Sequence, residues 1–247
     1  VERVAGLLLA AGGGRRIGAP KALLRHDGQL LVERACQVLR DAGCDPIVVV
    51  LGAAAQRVQE EADLDGATVV VNPAWTTGLG SSLRAGLAAL TDTPAEAVAV
   101  LLVDTPGVTG EAVRRVAALP YPQALVCATY GGRRSHPMLF GRAHWSGIST
   151  LAKVDVGARP YLLAHASEVL EVGCDAVSSD DDIDTPDAAA AWGITLPDDA
   201  APPAPPLAPP NGAKRTTDGA DEPGAATELP PAPTSPPPAP ADQGAAH

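Results

Sequence analysis

The sequence predicts an α/β fold built on a mostly parallel sheet with helices on both faces. Three observations carry that prediction. The strand-like segments are continuous apolar runs, as expected where both faces of a sheet are covered. These runs alternate with stretches of helical composition, which implies right-handed crossovers between parallel strands. The most polar and glycine-rich segments follow the strand ends, where sheets of this kind bind ligands.

Residues 4–10 form the first strand, and a glycine-rich loop follows it. A helix over 31–42 is stopped by Gly43. Residues 46–51 are the second strand and 53–62 a helix. The third strand, 67–71, is closed by Asn72-Pro73. A helix over 81–90 takes Gly80 or Ser81 as its cap. The fourth strand, 97–103, stops at Asp104, and Thr109 caps a helix reaching residue 118. Residues 124–129 and 137–140 are strands around a turn at Gly131-Gly132. Residues 158–165 read as helix and 168–172 as extended chain. A short helix over 186–192 carries Pro186 in its first turn.

Composition divides the 247 residues into two polymers. The last 51 residues hold 15 of the 25 prolines, whereas the first 196 hold every aromatic residue and all four cysteines. Residues 1–196 are long enough for one domain with a well-buried core. Residues 197–247 cannot bury enough apolar surface to offset the entropy of ordering, and read as a disordered tail with polyproline II character. Its Pro-x-x-Pro spacings leave a docking ligand open, but a solvated tail is the favoured reading, since such a composition readily makes these spacings by chance. No apolar run approaches the roughly 18–20 residues that span a bilayer. Basic residues follow the apolar start, the wrong order for a secretory signal. Cys36, Cys44, Cys127 and Cys174 include no Cys-x-x-Cys pair, so they read as buried reduced thiols and point to the cytoplasm. The net charge of −11 argues against a nucleic-acid partner. An anionic substrate must then meet a few placed cations. The first 196 residues contain only two lysines, Lys21 and Lys153, and Lys21 ends the most unusual loop.

That loop reads Leu9-Ala10-Ala11-Gly12-Gly13-Gly14-Arg15-Arg16-Ile17-Gly18-Ala19-Pro20-Lys21. It fails both common phosphate motifs on spacing. A dinucleotide fingerprint would need Gly at Ile17, and a Walker loop would need Lys at Ala19. Phosphate remains the chemistry it suits: three successive glycines let backbone N–H groups close on an anion, beside Arg15, Arg16 and Lys21. Asp104, at the end of a buried strand, is costly to desolvate unless paired or coordinated. Asp180-Asp181-Asp182-Ile183-Asp184-Thr185-Pro186 could alone be an acidic turn capping the last helix, with Asp184 and Thr185 both suited to the cap. Taken with Asp104 and the cationic loop, it reads instead as the second half of a Mg²⁺ site. Trp75, Trp145 and Trp192 read as core or loop anchors.

The chain resembles the MobA-like nucleotidyltransferases, and among them the molybdenum cofactor cytidylyltransferases. Their first-loop pattern, Leu-Ala-Ala-Gly-x-Ser-x-Arg-Met-Gly-x-x-Lys, aligns with Leu9 to Lys21, with Gly14 for Ser and Ile17 for Met. Gly78-Leu79-Gly80-Ser81-Ser82-Leu83-Arg84-Ala85-Gly86 is the second match. Leu102-Val103-Asp104-Thr105-Pro106 stands where Ala-Asp-Gln-Pro is usual, and Ser135-His136-Pro137 where Gly-His-Pro is usual. Asp155-Val156-Gly157-Ala158-Arg159 and Asp182-Ile183-Asp184-Thr185-Pro186 complete the set, in order, over residues 4–193.

The resemblance implies a three-layer α/β/α sandwich of Rossmann-like type. It implies transfer of a nucleoside monophosphate from an NTP to a phosphate-bearing acceptor, with CTP as donor and molybdopterin as acceptor. It assigns Arg16 and Lys21 to the triphosphate, and Asp104 and Asp184 to Mg²⁺. The backbone at Leu9, Ala10, Ala11, Gly12, Gly13 and Gly14, with Gly80, Ser81 and Ser82, would hold the nucleotide. His136, Asp155 and Arg159 would face the acceptor. A molybdoenzyme or cofactor-insertion protein is the implied partner. Guanylyltransferase relatives read Leu-Ala-Gly-Gly, so the Ala11 methyl is the feature that favours a pyrimidine. Two alternatives stay open: another acceptor, such as a sugar or polyol phosphate or a phospho-acid, and a non-catalytic nucleotide-binding module.

Overall fold

The computed structural model describes residues 3–118 and 122–202. Its strands are β1 (Val4–Ala10), β2 (Arg25–His26), β3 (Gln29–Leu30), β4 (Ile47–Leu51), β5 (Ala67–Val71), β6 (Ala97–Leu102), β7 (Leu125–Tyr130), β8 (Arg133–Gly141), β9 (Leu170–Gly173) and β10 (Ile194–Thr195). Its α-helices are α1 (Leu31–Asp41), α2 (Ala55–Glu61), α3 (Leu79–Ala89), α4 (Gly110–Val116), α5 (Trp145–Leu151), α6 (Arg159–Ala164) and α7 (Pro186–Ala191). The main sheet has seven strands in the order β5-β4-β1-β6-β8-β7-β9, and β8 alone runs against the rest.

Alternate residues of β1 enter opposite layers. Leu8 and Ala10 join the core beneath α1 and α4, and Ala5, Leu7 and Leu9 join the core beneath α3, α5 and α6. A strand covered on both faces must be apolar throughout, which is why its sequence does not alternate. Each leucine fully buried here contributes about 1.5–3 kcal/mol. The result is the expected α/β/α sandwich. The caps also follow the sequence: Ala112 N–H donates to Thr109 Oγ1, and Ala188 N–H donates to Thr185 Oγ1. All four cysteines are buried and free, and burial pushes the thiols up, to about 11 for Cys36 and Cys127 and about 12 for Cys44. Among the described residues no helix is long and apolar enough to cross a membrane.

Three features depart from expectation. Helix α5 has no counterpart among the expected elements, since Trp-Ser-Gly-Ile-Ser-Thr-Leu has weak helix propensity. Tertiary contacts hold it: Trp145 Nε1 donates to the Phe140 carbonyl, Arg142 lies 4.6 Å over the indole, and Gly147 lets Tyr161 approach closely. A small second sheet, β10-β2-β3, is made of two-residue strands too short to show a period. Residues 197–202, expected to begin the tail, lie instead on the folded body. Ala201 N–H donates to the Gly18 carbonyl, and Asp199 pairs with Arg57 at 2.7 Å. Those two pairings depend on partners far along the chain, which composition does not reveal. The remainder of the expected tail, 203–247, lies outside the described residues.

Candidate active site

Strand register brings the chemistry-bearing loops to one sheet edge. Leu9 stands beside Leu102 and Ala10 beside Leu51, so the segments after β1, β4 and β6 leave the sheet together. Val103 N–H donates to the Leu9 carbonyl and Ala53 N–H to the Ala11 carbonyl. The glycine loop turns at Gly14, whose carbonyl accepts from Ile17 and Gly18 N–H. Gly14 has φ +60°, and a Cβ there would lie 1.9 Å from the Ala19 carbonyl oxygen. The serine of the resembled pattern could not occupy this turn without moving it. Buried Ile17 pins the loop to the core.

Lys21 opens a short 3₁₀ turn anchored by buried Ala22 and Leu23. Its ammonium donates to Asp104 Oδ2 at 2.5 Å and also to Asp184, which accepts from Arg16 as well. Asp184 is free to do this because Thr185, not Asp184, caps α7. Ile183 N–H donates to the Asp104 carbonyl at 2.8 Å, and the buried Ile183 side chain fixes the two carboxylate segments side by side. Burial opposes the charge on Lys21, but Asp104 and Asp184 outweigh it and raise the ammonium pKa above the ordinary lysine range. Burial likewise opposes ionisation of Asp184, but Lys21 and Arg16 hold it below the usual carboxylate range. Asp182 is raised by burial and by neighbouring Asp184. Two carboxylates therefore converge on one cation. Among the described residues no group of three or more His, Cys, Asp or Glu side chains assembles as a metal site.

Around this cluster lies a cleft of about 460 Å³. Leu9, Ala11, Gly12, Gly13, Gly14, Arg16, Lys21, Ser82, Asp104 and Asp184 all line it, as the sequence led us to expect. Ala10 instead packs in the core below. Gly80 and Ser81 do not line the cleft. The Ser81 hydroxyl donates toward the Ala74 and Gly78 carbonyls and accepts from Asn72, which also binds Ser82. These bonds shape the start of α3.

A second cleft, also about 460 Å³, shares Leu9 and Leu79 with the first. His136 and Arg159 line it, together with Arg133, Arg134 and an apolar wall that includes Leu83, Val100, Met138 and Phe140. Asp155, grouped with the acceptor residues on sequence, lines the first cleft instead. It sits on the turn Val154–Val156, which packs against α3, and this turn divides the clefts: Asp155 faces one, Val156 and Gly157 the other.

Trp75 and Thr76, assigned no site role on sequence, also line the first cleft. A Cβ at Gly13 would lie 3.1 Å from the Trp75 ring, so the central glycine of the triplet is the signal that a bulky group closes on the loop. The pairing of β7 with β8 slips between Cys127 and Ala128, skipping His136 and Pro137. Such a bulge re-aims a side chain, and here it carries His136 into the second cleft, within electrostatic reach of Asp104 and Asp180. Desolvation dominates over those carboxylates and pushes the imidazole down to about 4. The folded protein therefore resists a proton that the unfolded chain accepts near pH 6.5. Stability should fall as pH drops from 6.5 toward 4, by about 2 kcal/mol at pH 5. His136→Gln should flatten that part of a melting-temperature profile; an unchanged slope would refute the assignment.

A sheet edge carrying a glycine loop, a lysine and two convergent carboxylates defines an α/β protein with a site suited to a phosphate-bearing ligand. The chain belongs to the family of the MobA-like NTP transferase domain, whose profile matches residues 6–180. It is 37% identical over 190 residues to the nicotine blue oxidoreductase of Paenarthrobacter nicotinovorans, covering 74% of this chain and 92% of that one. It is 38% identical over 105 residues to a probable molybdenum cofactor guanylyltransferase of Opitutus terrae, covering 42% of this chain and 50% of the relative. Its fold matches the Rv0371c protein of Mycobacterium tuberculosis in complex with manganese, at TM-score 0.63 and 28% identity, over 77% of this chain and 97% of that one.

Proposed function

We propose that the protein transfers CMP from CTP to a phosphate-bearing acceptor, most simply molybdopterin, and releases pyrophosphate. The observation that carries this reading is the meeting of Lys21, Arg16, Asp104 and Asp184 in the first cleft. Arg16 and Lys21 neutralise the two carboxylates. A bound triphosphate competes for the same cations, so Arg16 and Lys21 exchange carboxylate oxygens for phosphate oxygens. Asp104 and Asp184, relieved of those cations, are the residues that would hold Mg²⁺, since two carboxylates completed by substrate phosphates suit that ion. The manganese in the Rv0371c complex supports a divalent ion in this fold. The ion would supply neutralisation of phosphate charge.

An acceptor phosphate oxygen attacks the α-phosphorus in line, the bond to the bridging oxygen breaks, and pyrophosphate leaves. Catalysis is then positioning and charge stabilisation. Arg159 supplies positive charge to the acceptor, while His136, neutral at working pH, can only exchange hydrogen bonds with it. The apolar wall of the second cleft favours a flat ring system over a sugar or polyol phosphate, whose hydroxyls would lose their partners there. For the donor, the Ala11 methyl narrows the first cleft against a purine. Ala11→Gly is expected to shift the CTP-to-GTP ratio of kcat/KM toward GTP by about tenfold.

A second reading comes from the relative named a nicotine blue oxidoreductase: the apolar second cleft would take an apolar ring compound for oxidation or reduction. One experiment separates the readings. Protein, Mg²⁺ and CTP, GTP or ATP are incubated with molybdopterin or a sugar phosphate, and pyrophosphate and product mass are measured. Pyrophosphate and a cytosine dinucleotide support the proposal. No pyrophosphate from any pair, with redox turnover of an apolar ring compound against a supplied electron donor or acceptor, would replace it with the second reading. Nucleotide binding with neither reaction would leave a non-catalytic binding module.

A further inference from the structure

We propose that Arg133 is a positioning residue which, through Asp180, holds the segment that presents Asp184 to the first cleft; this rests on the divalent-ion reading above. Arg133 is the first residue of β8, directly after the Gly131-Gly132 turn, and lines the second cleft. Its guanidinium lies 3.1 Å from Asp180 Oδ2. The two ends of the pair differ sharply: the Arg133 side chain is 71% exposed and that of Asp180 only 10%. Asp180 Oδ2 is buried with no aligned hydrogen-bond donor among the described residues, so the guanidinium is its nearby counter-charge.

Asp180 lies four residues before Asp184. The same end of the β7–β8 hairpin grips this stretch twice more, by Gly131 N–H donating to Asp175 at 2.7 Å and by the Tyr130–Ser178 hydroxyl pair at 3.0 Å. Beyond Asp180, Ile183 N–H ties the segment to the Asp104 carbonyl. A nearly buried carboxylate that loses its cation must take a proton or move toward water. Either response disturbs the spacing of Asp184 from Asp104. Arg133 thus links the second cleft to the carboxylate pair of the first. Neighbouring Arg134 pairs with Glu171 on β9, outside this segment.

The sign of the effect makes the idea testable. Removing a positive charge would, by field alone, tighten binding of a divalent cation, whereas loss of positioning weakens it. Mn²⁺ is titrated calorimetrically into protein with CTP, for wild type, Arg133→Gln, Arg133→Lys, Asp180→Asn, the Arg133→Gln/Asp180→Asn double variant and Arg134→Gln, each checked for an unchanged melt. Arg133→Gln and Asp180→Asn should each weaken Mn²⁺ binding by about fivefold, and the double variant by the same fivefold rather than their product. Arg133→Lys should restore most of the affinity, and Arg134→Gln should stay within about twofold of wild type. Unchanged or tighter binding in Arg133→Gln, or additive losses in the double variant, overturns the proposal and leaves the metal reading standing. A wild type that binds no Mn²⁺ with CTP overturns both.

Discussion

Lys21→Ala is expected to lower the rate of nucleotidyl transfer by about 10²–10³-fold, with a smaller change in CTP affinity. Among the described residues Lys21 is the one ammonium lining the first cleft, and its 3₁₀ turn fixes where that charge stands. A charge held in place before substrate arrives costs no reorganisation as negative charge develops at the α-phosphate. The variant should also be less stable without ligand, because Asp104 and Asp184 then face each other with Arg16 alone to neutralise them. Mg²⁺ should recover that loss and raise the melting temperature of the variant more than that of wild type. Single-turnover kinetics with CTP, alongside melting curves with and without Mg²⁺, test both parts. Near-normal turnover in a folded variant would remove Lys21 from the catalytic role and weaken the assignment of the cleft.

Asp104→Asn is the second large effect. The substitution keeps the side-chain shape and removes one negative charge. Lys21 keeps Asp184 as a partner, so folding should suffer little. Divalent-ion affinity with CTP should fall by at least about tenfold and turnover by about 10² or more. The diagnostic curve is rate against Mg²⁺ concentration: the midpoint should move upward, and saturating Mg²⁺ should recover only part of the rate. A midpoint unchanged from wild type would show that Asp104 serves as a partner for Lys21 and not as a metal ligand.

Much of this arrangement was legible in sequence because it is local. The strands were visible as apolar runs because each is covered on both faces. The Gly12-Gly13-Gly14 loop, the stop at Asp104 and the Thr109 cap are signals confined to a few neighbouring residues. Helix α5 was not legible, because its propensity is poor and packing against Phe140 and Tyr161 sustains it. The motif points to Ser81 as a nucleotide ligand, yet its hydroxyl is engaged by local carbonyls and Asn72. Arg133, Arg134 and Trp75 carry no pattern in sequence that separates them from ordinary surface or core residues.

By itself the sequence determined the layered α/β architecture, the residue types available for phosphate and metal chemistry, and the resemblance that led to the family. Tertiary structure decided how those residues are partnered. It gave the cap of α7 to Thr185 and so released Asp184 to Lys21 and Arg16. It sent Asp155 to one side of the dividing turn and Val156 to the other, and it drew residues 197–202 onto the body beside Gly18. The physical reason is range. Hydropathy periods and caps are set within a few residues, whereas ion pairs across a cleft depend on strand register and on which competing partner lies nearer once the sheet has assembled.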